Sequence, residues 1–160
     1  MSMLVHLADE KKAKSILRSG IKPGKYMGGV YCMPVLPHFY ITHQWLRELK
    51  SNGVKTIVAV YFKVDDLELV YAGRYNKPHG KINLGKAVRE IMDLEDPLGY
   101  ELIITRKIES SEILRIKNLP QNIGWRYMPN SHDVKPCTCE FCIRGTIRAG
   151  RLRTKREEEK

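Results

Sequence analysis

Leu4-Val5-His6-Leu7-Ala8 is a short, nearly continuous apolar run and predicts an opening strand. Asp9 can cap a helix running to about Ser19, with Ala13, Ile16 and Leu17 on one face. Gly20 ends that helix, and Pro23-Gly24 marks a turn. Gly28-Gly29 precedes a second short strand, Val30 to Met33, which Pro34 and Pro37 break. A helix is expected from about Phe39 to Lys50, with Ile41, Trp45, Leu46 and Leu49 as its apolar stripe. After a turn at Asn52-Gly53, Thr56 to Val64 is apolar through six consecutive residues, so an interior strand buried on both faces is expected.

Leu67 to Tyr75 reads as a further strand, and Asn76 to Lys81 as a polar loop. Asn83 can cap a helix from Leu84 to about Asp93. Glu95 to Gly99 reads as a loop, Tyr100 to Ile108 as a buried strand and Ile113 to Lys117 as a last strand. The order β α β α β β α β β, without regular alternation, predicts an α+β protein with mixed or antiparallel sheets and short helices. Periodicity stops after Pro120. Residues 1–120 are therefore read as one domain, 121–143 as a loop-rich cysteine-containing element and 144–160 as a basic tail.

Composition changes this picture in two places. Over 160 residues, 28 Lys and Arg against 18 Asp and Glu give a net charge of +10, and the excess is uneven. Arg144, Arg148, Arg151, Arg153, Lys155 and Arg156 crowd residues 144–156 without one acid. Such a field attracts polyanions, so RNA or DNA is an expected partner and these six residues the expected contacts. A solvated tail is the competing explanation. No apolar run reaches the roughly 18 residues of a membrane span. The first ten residues lack the pattern of a signal peptide, so a cytoplasmic location with no membrane partner is expected.

Cysteine in a reducing compartment is more often thiol or metal ligand than disulfide. Cys137, Cys139 and Cys142 form a C-x-C-x-x-C cluster, with His132 five residues upstream of its first member. That set predicts a structural zinc, which takes four tetrahedral donors; His132 or Cys32 would complete it. Zinc binding by small Cys/His sites is worth roughly 10–16 kcal/mol, enough to order a segment with little apolar material. Trp125, Tyr127 and Phe141 beside the arginines would suit base stacking on a nucleic acid.

Three scattered residues gain meaning from their surroundings. Leu4-Val5-His6-Leu7, followed by Ala13-Lys14-Ser15-Ile16-Leu17-Arg18-Ser19-Gly20-Ile21-Lys22-Pro23-Gly24, resembles the first strand and helix of the ADP-ribosyltransferase fold. Gly28-Gly29-Val30-Tyr31-Cys32 resembles that fold's Gly-aliphatic-Tyr strand, and a helix carrying Phe39, Tyr40, His43 and Trp45 follows. Tyr100-Glu101-Leu102-Ile103-Ile104, then Ile108 and Ser111-Glu112-Ile113, resembles the late strand that bears the catalytic glutamate and the strand after it. The resemblance covers about residues 4–117, and the order His, Tyr, Glu matches the branch shared with diphtheria toxin and the poly(ADP-ribose) polymerases.

What this resemblance implies is an NAD+-dependent mono-ADP-ribosyltransferase. NAD+ would be the substrate, nicotinamide the leaving group, and the acceptor a nucleic acid ahead of a protein because of the basic tail. Glu101 would stabilise the oxocarbenium-like ribose, His6 would orient the ribose and nicotinamide, and Tyr31 would stack on the nicotinamide ring. Tyr40 is the nearest candidate for a second stacking tyrosine, and Arg18 is placed with it among the NAD+-binding candidates. Leu7 stands where this branch often has a small residue, and no acid lies two positions before Glu101. Two alternatives remain. One is an RNA 2'-phosphotransferase-like enzyme of the same fold, for which Arg18, Arg74 and Arg106 could supply charge. The other is a non-enzymatic, zinc-containing nucleic-acid-binding module.

Overall fold

The computed structural model describes residues 1–25, 28–50, 53–75 and 77–124. Seven strands form one sheet: β1 (Ser2–Asp9), β2 (Val30–Pro34), β3 (Ile57–Val64), β4 (Leu69–Arg74), β5 (Gly80–Asn83), β6 (Tyr100–Ile104) and β7 (Ile113–Asn118). Their spatial order is β5-β4-β6-β2-β1-β3-β7, and every neighbouring pair is antiparallel. Among the described residues, four short helices accompany them: α1 (Ala13–Ser19), α2 (Phe39–Thr42), α3 (Leu46–Lys50) and α4 (Leu84–Asp93). The fold is thus α+β with an antiparallel sheet. No described helix is long and apolar enough to cross a membrane.

The core lies on both faces of the sheet, which is why β3 is apolar at consecutive positions. Val58, Val60, Phe62 and Val64 join Leu4, Cys32, Leu102 and Ile104 on one face, under α1 (Ile16) and α4 (Leu84, Ala87, Ile91). Ile57, Ala59 and Tyr61 join Val5 and Met33 on the other, under Ile41, Trp45, Leu46 and Leu49. Alternation along β3 sends successive side chains to opposite faces, so each core takes every second residue.

Several elements differ from the sequence reading, each for a local reason. Asp9 does cap, but it caps a single 3-10 turn (Glu10–Lys12), accepting from the Lys11 amide, and α1 begins only at Ala13. Leu17, expected on the buried face, is 54% exposed, while Ile16 is buried. The helix expected over 39–50 is broken in two at residues 43–45, beside Thr42, His43 and Gln44, three buried polar side chains in a row. Each is spent on something outside a regular helix: Thr42 on Leu36, His43 on Tyr61, Gln44 on the Gly99 amide and the Pro97 carbonyl. The polar loop expected at 76–81 yields the start of β5, which pairs with β4 from Leu69–Asn83 to Ala72–Gly80. Asn83 sits at the start of α4 but spends its amide on the Leu67 carbonyl. Backbone carbonyls of Glu68 and Asp66 accept from the Leu84 and Gly85 amides instead. The strand expected to reach Ile108 stops at Ile104, and Ile108 pairs separately with Ile21.

Candidate functional site

The sheet is weakly joined at one seam. β1 is paired with β3 along its whole length, from Ser2–Val64 to Asp9–Ile57. Against β2 it pairs only at Leu4–Pro34 and Val5–Met33. Beyond Val5 a side chain takes over from the ladder: His6 Nδ1 donates to the Tyr31 carbonyl at 2.7 Å. That bond fixes the tautomer of a neutral ring and leaves Nε2 for the cleft that His6 lines. Burial holds the imidazole below its ordinary value, opposed by the Tyr31 hydrogen bond.

The cleft at this seam has a volume of about 830 Å³. His6 lines it from β1, Tyr31 from β2 and Glu101 from β6; Trp45, Glu48 and Leu49 form a facing wall from the α3 region. Tyr31 lies opposite Ile103 on β6, and Glu101 lies opposite Gly73 on β4. Tyr31, Met33, Glu101 and Ile103 therefore alternate onto one face of adjacent strands. The close packing of β2 on β6 depends on Gly29, because a Cβ there would collide with the Ile103 side chain and stand 3.1 Å from the Ile104 carbonyl oxygen.

Glu101 is partly buried, and burial raises its carboxyl above the ordinary carboxylate value. His79 opposes that shift, its Nε2 3.1 Å from Glu101 Oε1. Trp45 and Tyr75 form an aromatic wall with ring centroids 5.6 Å apart. The Trp45 indole N–H donates to the Tyr100 carbonyl at 2.9 Å. The Arg74 guanidinium donates to the Leu98 and Asp96 carbonyls and lies over the Tyr100 ring, which ties the end of β4 to the turn before β6. A cleft with one half-buried carboxylate, two imidazoles and an aromatic wall can bind a flat ring and stabilise positive charge beside it.

The other residues singled out in the sequence fall elsewhere. Tyr40 is half-buried on α2, packs edge-on to His38 and does not line this cleft. Arg18 is exposed on α1 and is also outside its lining. Arg106 is engaged in paired hydrogen bonds with both Glu68 and Glu112. The Cys32 thiol is buried in the core, facing the Leu102 carbonyl, and burial pushes it well above the usual thiol value. Cys137, Cys139, Cys142, His132 and the basic residues Arg144, Arg148, Arg151, Arg153, Lys155 and Arg156 lie outside the described residues. Among the described residues, no three His, Cys, Asp or Glu side chains group to hold a metal.

His79, Trp45 and Tyr75 are cleft residues that the sequence reading did not assign there. The sequence places Trp45 in an apolar stripe and among the aromatics of the helix after the Tyr31 strand, and His79 in a polar loop, but neither in a cleft. The hairpin that brings His79 to Glu101 is a long-range fact: 22 residues separate the pair. Comparisons with protein-family models, with curated proteins and with solved structures give no match to this chain.

Proposed function

We propose that this chain is an NAD+-dependent mono-ADP-ribosyltransferase with an ADP-ribosyltransferase-like fold. One observation carries the reading. His6, Tyr31 and Glu101 were singled out together from short motifs spread over 95 positions of the sequence, and all three line one cleft. Its volume of about 830 Å³ lies within the range of roughly 300–1,000 Å³ usual for ligand pockets.

In this reading NAD+ lies with its nicotinamide against Tyr31 and its ribose between His6 and Glu101. The bond from the ribose anomeric carbon to the pyridinium nitrogen breaks, and its electron pair returns to the nicotinamide ring. Positive charge then develops on the ribose. The Glu101 carboxylate, in a partly water-excluded wall, stabilises that charge more than it would in bulk water. His6 Nε2, fixed by the Nδ1 bond to Tyr31, orients a ribose hydroxyl. The aromatic partner across the cleft is Trp45 with Tyr75, in the role first given to Tyr40.

The phosphotransferase alternative draws no support from the cleft, since Arg18, Arg74 and Arg106 are absent from its lining. Nucleic acid remains the favoured acceptor class on the strength of the basic tail alone, and a salt-sensitive affinity for RNA or DNA tests it. The zinc reading likewise rests on the Cys137, Cys139, Cys142 and His132 spacing. Metal analysis of the purified chain, with Cys139→Ser as control, tests that part independently.

The deciding experiment measures nicotinamide release from NAD+ by the purified chain, with Glu101→Gln as control and a nucleic-acid mixture added or withheld. Release that needs Glu101 supports the transferase. Absence of both release and NAD+ binding overturns it.

A further inference from the structure

Glu101 and His79 form a closed pair. Their side chains are 12% and 10% exposed, and His79 Nε2 is 3.1 Å from Glu101 Oε1. The other ring nitrogen is already committed, because His79 Nδ1–H donates to the Lys77 carbonyl at 2.9 Å. If Nδ1 carries a proton, Nε2 and Oε1 need a second proton between them; without it, lone pairs face each other in a poorly hydrated gap. A hydrogen bond between Nε2 and Oε1 therefore places one shared proton between the two side chains.

This placement is built into the backbone. Gly73 lies opposite Glu101 in the β4–β6 register. A Cβ on Gly73 would stand 3.1 Å from both His79 Cγ and the Pro78 carbonyl oxygen. Any side chain at 73 would push the 78–79 segment back by a few tenths of an ångström. β6 is also the strand between the two histidines: His79 packs against β4 on one side, and β2 and β1 carry Tyr31 and His6 on the other. The remaining titratable groups lining the cleft are His6, Tyr31, Cys32, Glu48, Tyr75 and Lys77.

We infer that His79 is the general base that takes the proton from the acceptor, and that the acceptor is a neutral nucleophile with a proton to lose, a hydroxyl or an N–H, and not a carboxylate. This rests on the transferase reading. With NAD+ on the His6–Tyr31 side, the acceptor reaches the ribose from the His79 side of Glu101. The acceptor oxygen or nitrogen forms the new bond to the anomeric carbon as the bond to nicotinamide breaks. The electron pair of the broken bond neutralises the pyridinium, and the acceptor's proton passes to His79 Nε2. Nε2 must be free of the shared proton before it can accept the acceptor's. A carboxylate acceptor would have no proton to give and no use for the base.

The test uses NAD+ with three simple acceptors: water, methanol and azide. In His79→Gln, nicotinamide release to water and to methanol should fall ~10²–10⁴-fold, the usual worth of a general base. NAD+ affinity should change by less than about twofold, since a base acting only in the transition state adds no ground-state binding. Azide, an anion with no proton to lose, should restore release in His79→Gln and not in Glu101→Gln. Gly73→Ala, which removes no ionisable group, should show the same azide-rescued defect by displacing His79. Undiminished hydrolysis by His79→Gln overturns the inference, as does a loss that azide does not repair. A wild-type chain that neither binds nor cleaves NAD+ removes the transferase reading and the base role with it. The proton-sharing pair is read separately, by NMR titration of the His79 ring in the wild type and in Glu101→Gln; identical curves would show that the couple does not exist.

Discussion

His43 and His6 are both held through Nδ1 on a backbone carbonyl, at 2.8 Å to Phe39 and 2.7 Å to Tyr31. They differ in what Nε2 meets. The His43 ring, almost wholly buried, gives its second nitrogen to the Tyr61 hydroxyl at 2.8 Å, beneath α2 and α3. Its hydrogen-bonding capacity is used up inside the protein. His6 stands at the seam where β1 and β2 part, and its second nitrogen is left to the cleft. A histidine bound at both nitrogens by its own scaffold braces the fold, whereas one bound at a single nitrogen is aimed. His79 is held at both nitrogens like His43, but its second partner, Glu101, is a carboxylate that lines the cleft and not a group of the buried core.

The largest effect expected in the cleft region is loss of nicotinamide release in Glu101→Gln, by at least about 10²–10³-fold, the cost of removing a principal electrostatic stabiliser. The isosteric amide keeps the shape and removes a partly buried charge, so the melting temperature should not fall. A Glu101→Gln chain as active as wild type would end the division between aimed and bracing groups.

A matched substitution breaks the comparison more directly. His6→Phe should lower nicotinamide release by about 10²-fold through lost orientation, with a small loss of stability. His43→Phe should do the reverse. It strands the buried Tyr61 hydroxyl, costing about 1–3 kcal/mol, while activity per folded molecule stays near wild type. Denaturant titration and nicotinamide release on both variants form the test. Equal losses of both quantities in the two variants would show that the second nitrogen does not separate the roles.

Acid should sharpen the same contrast on a smaller scale. Burial lowers both His6 and His43 from the ordinary 6.5. The unfolded chain therefore takes up protons first, and stability present above pH 6.5 is lost as pH falls toward the lowered values. The slope is at most about 1.4 kcal/mol per pH unit for each ring. Glu101 acts in the opposite sense. Its raised value means stability is fully present below the ordinary 4.5 and is lost as pH rises through the raised value. Denaturation curves of Glu101→Gln should isolate the histidine loss, and adding His43→Phe should make it shallower.

How much of this was legible beforehand depended on the range of the interaction. β3 was plain because six consecutive apolar residues have few other uses. Tyr31 and Glu101 were legible because Gly28-Gly29 and the run Leu102-Ile103-Ile104 carry local signatures of a turn and a buried strand. The break between α2 and α3 was not, because Thr42, His43 and Gln44 find their partners at Leu36, Tyr61, Pro97 and Gly99. His79 was missed for the same reason. Its partner is 22 residues away, and the close approach is eased by Gly73 on a third stretch of chain. Period and turn chemistry report neighbours in sequence, whereas the cleft is assembled from residues joined only by the sheet order.

The smallest effect expected is the one that most sharply bounds the cleft. Arg18 and Tyr40 were attractive as NAD+ contacts by their place in short motifs, yet neither lines the cleft. Arg18 is exposed on α1, a helix that packs on the sheet face opposite Trp45 and Leu49. Tyr40 faces His38. Arg18→Ala and Tyr40→Phe should each leave NAD+ affinity and nicotinamide release within about twofold of wild type, since surface substitutions away from a site rarely exceed ~0.5 kcal/mol. Trp45→Ala should not be so mild, because it removes the aromatic wall beside Tyr75 and strands the Tyr100 carbonyl one residue before Glu101. If Tyr40→Phe weakened NAD+ binding and Trp45→Ala did not, the nicotinamide would lie against α2, and the wall opposite Glu101 would have been assigned to the wrong ring.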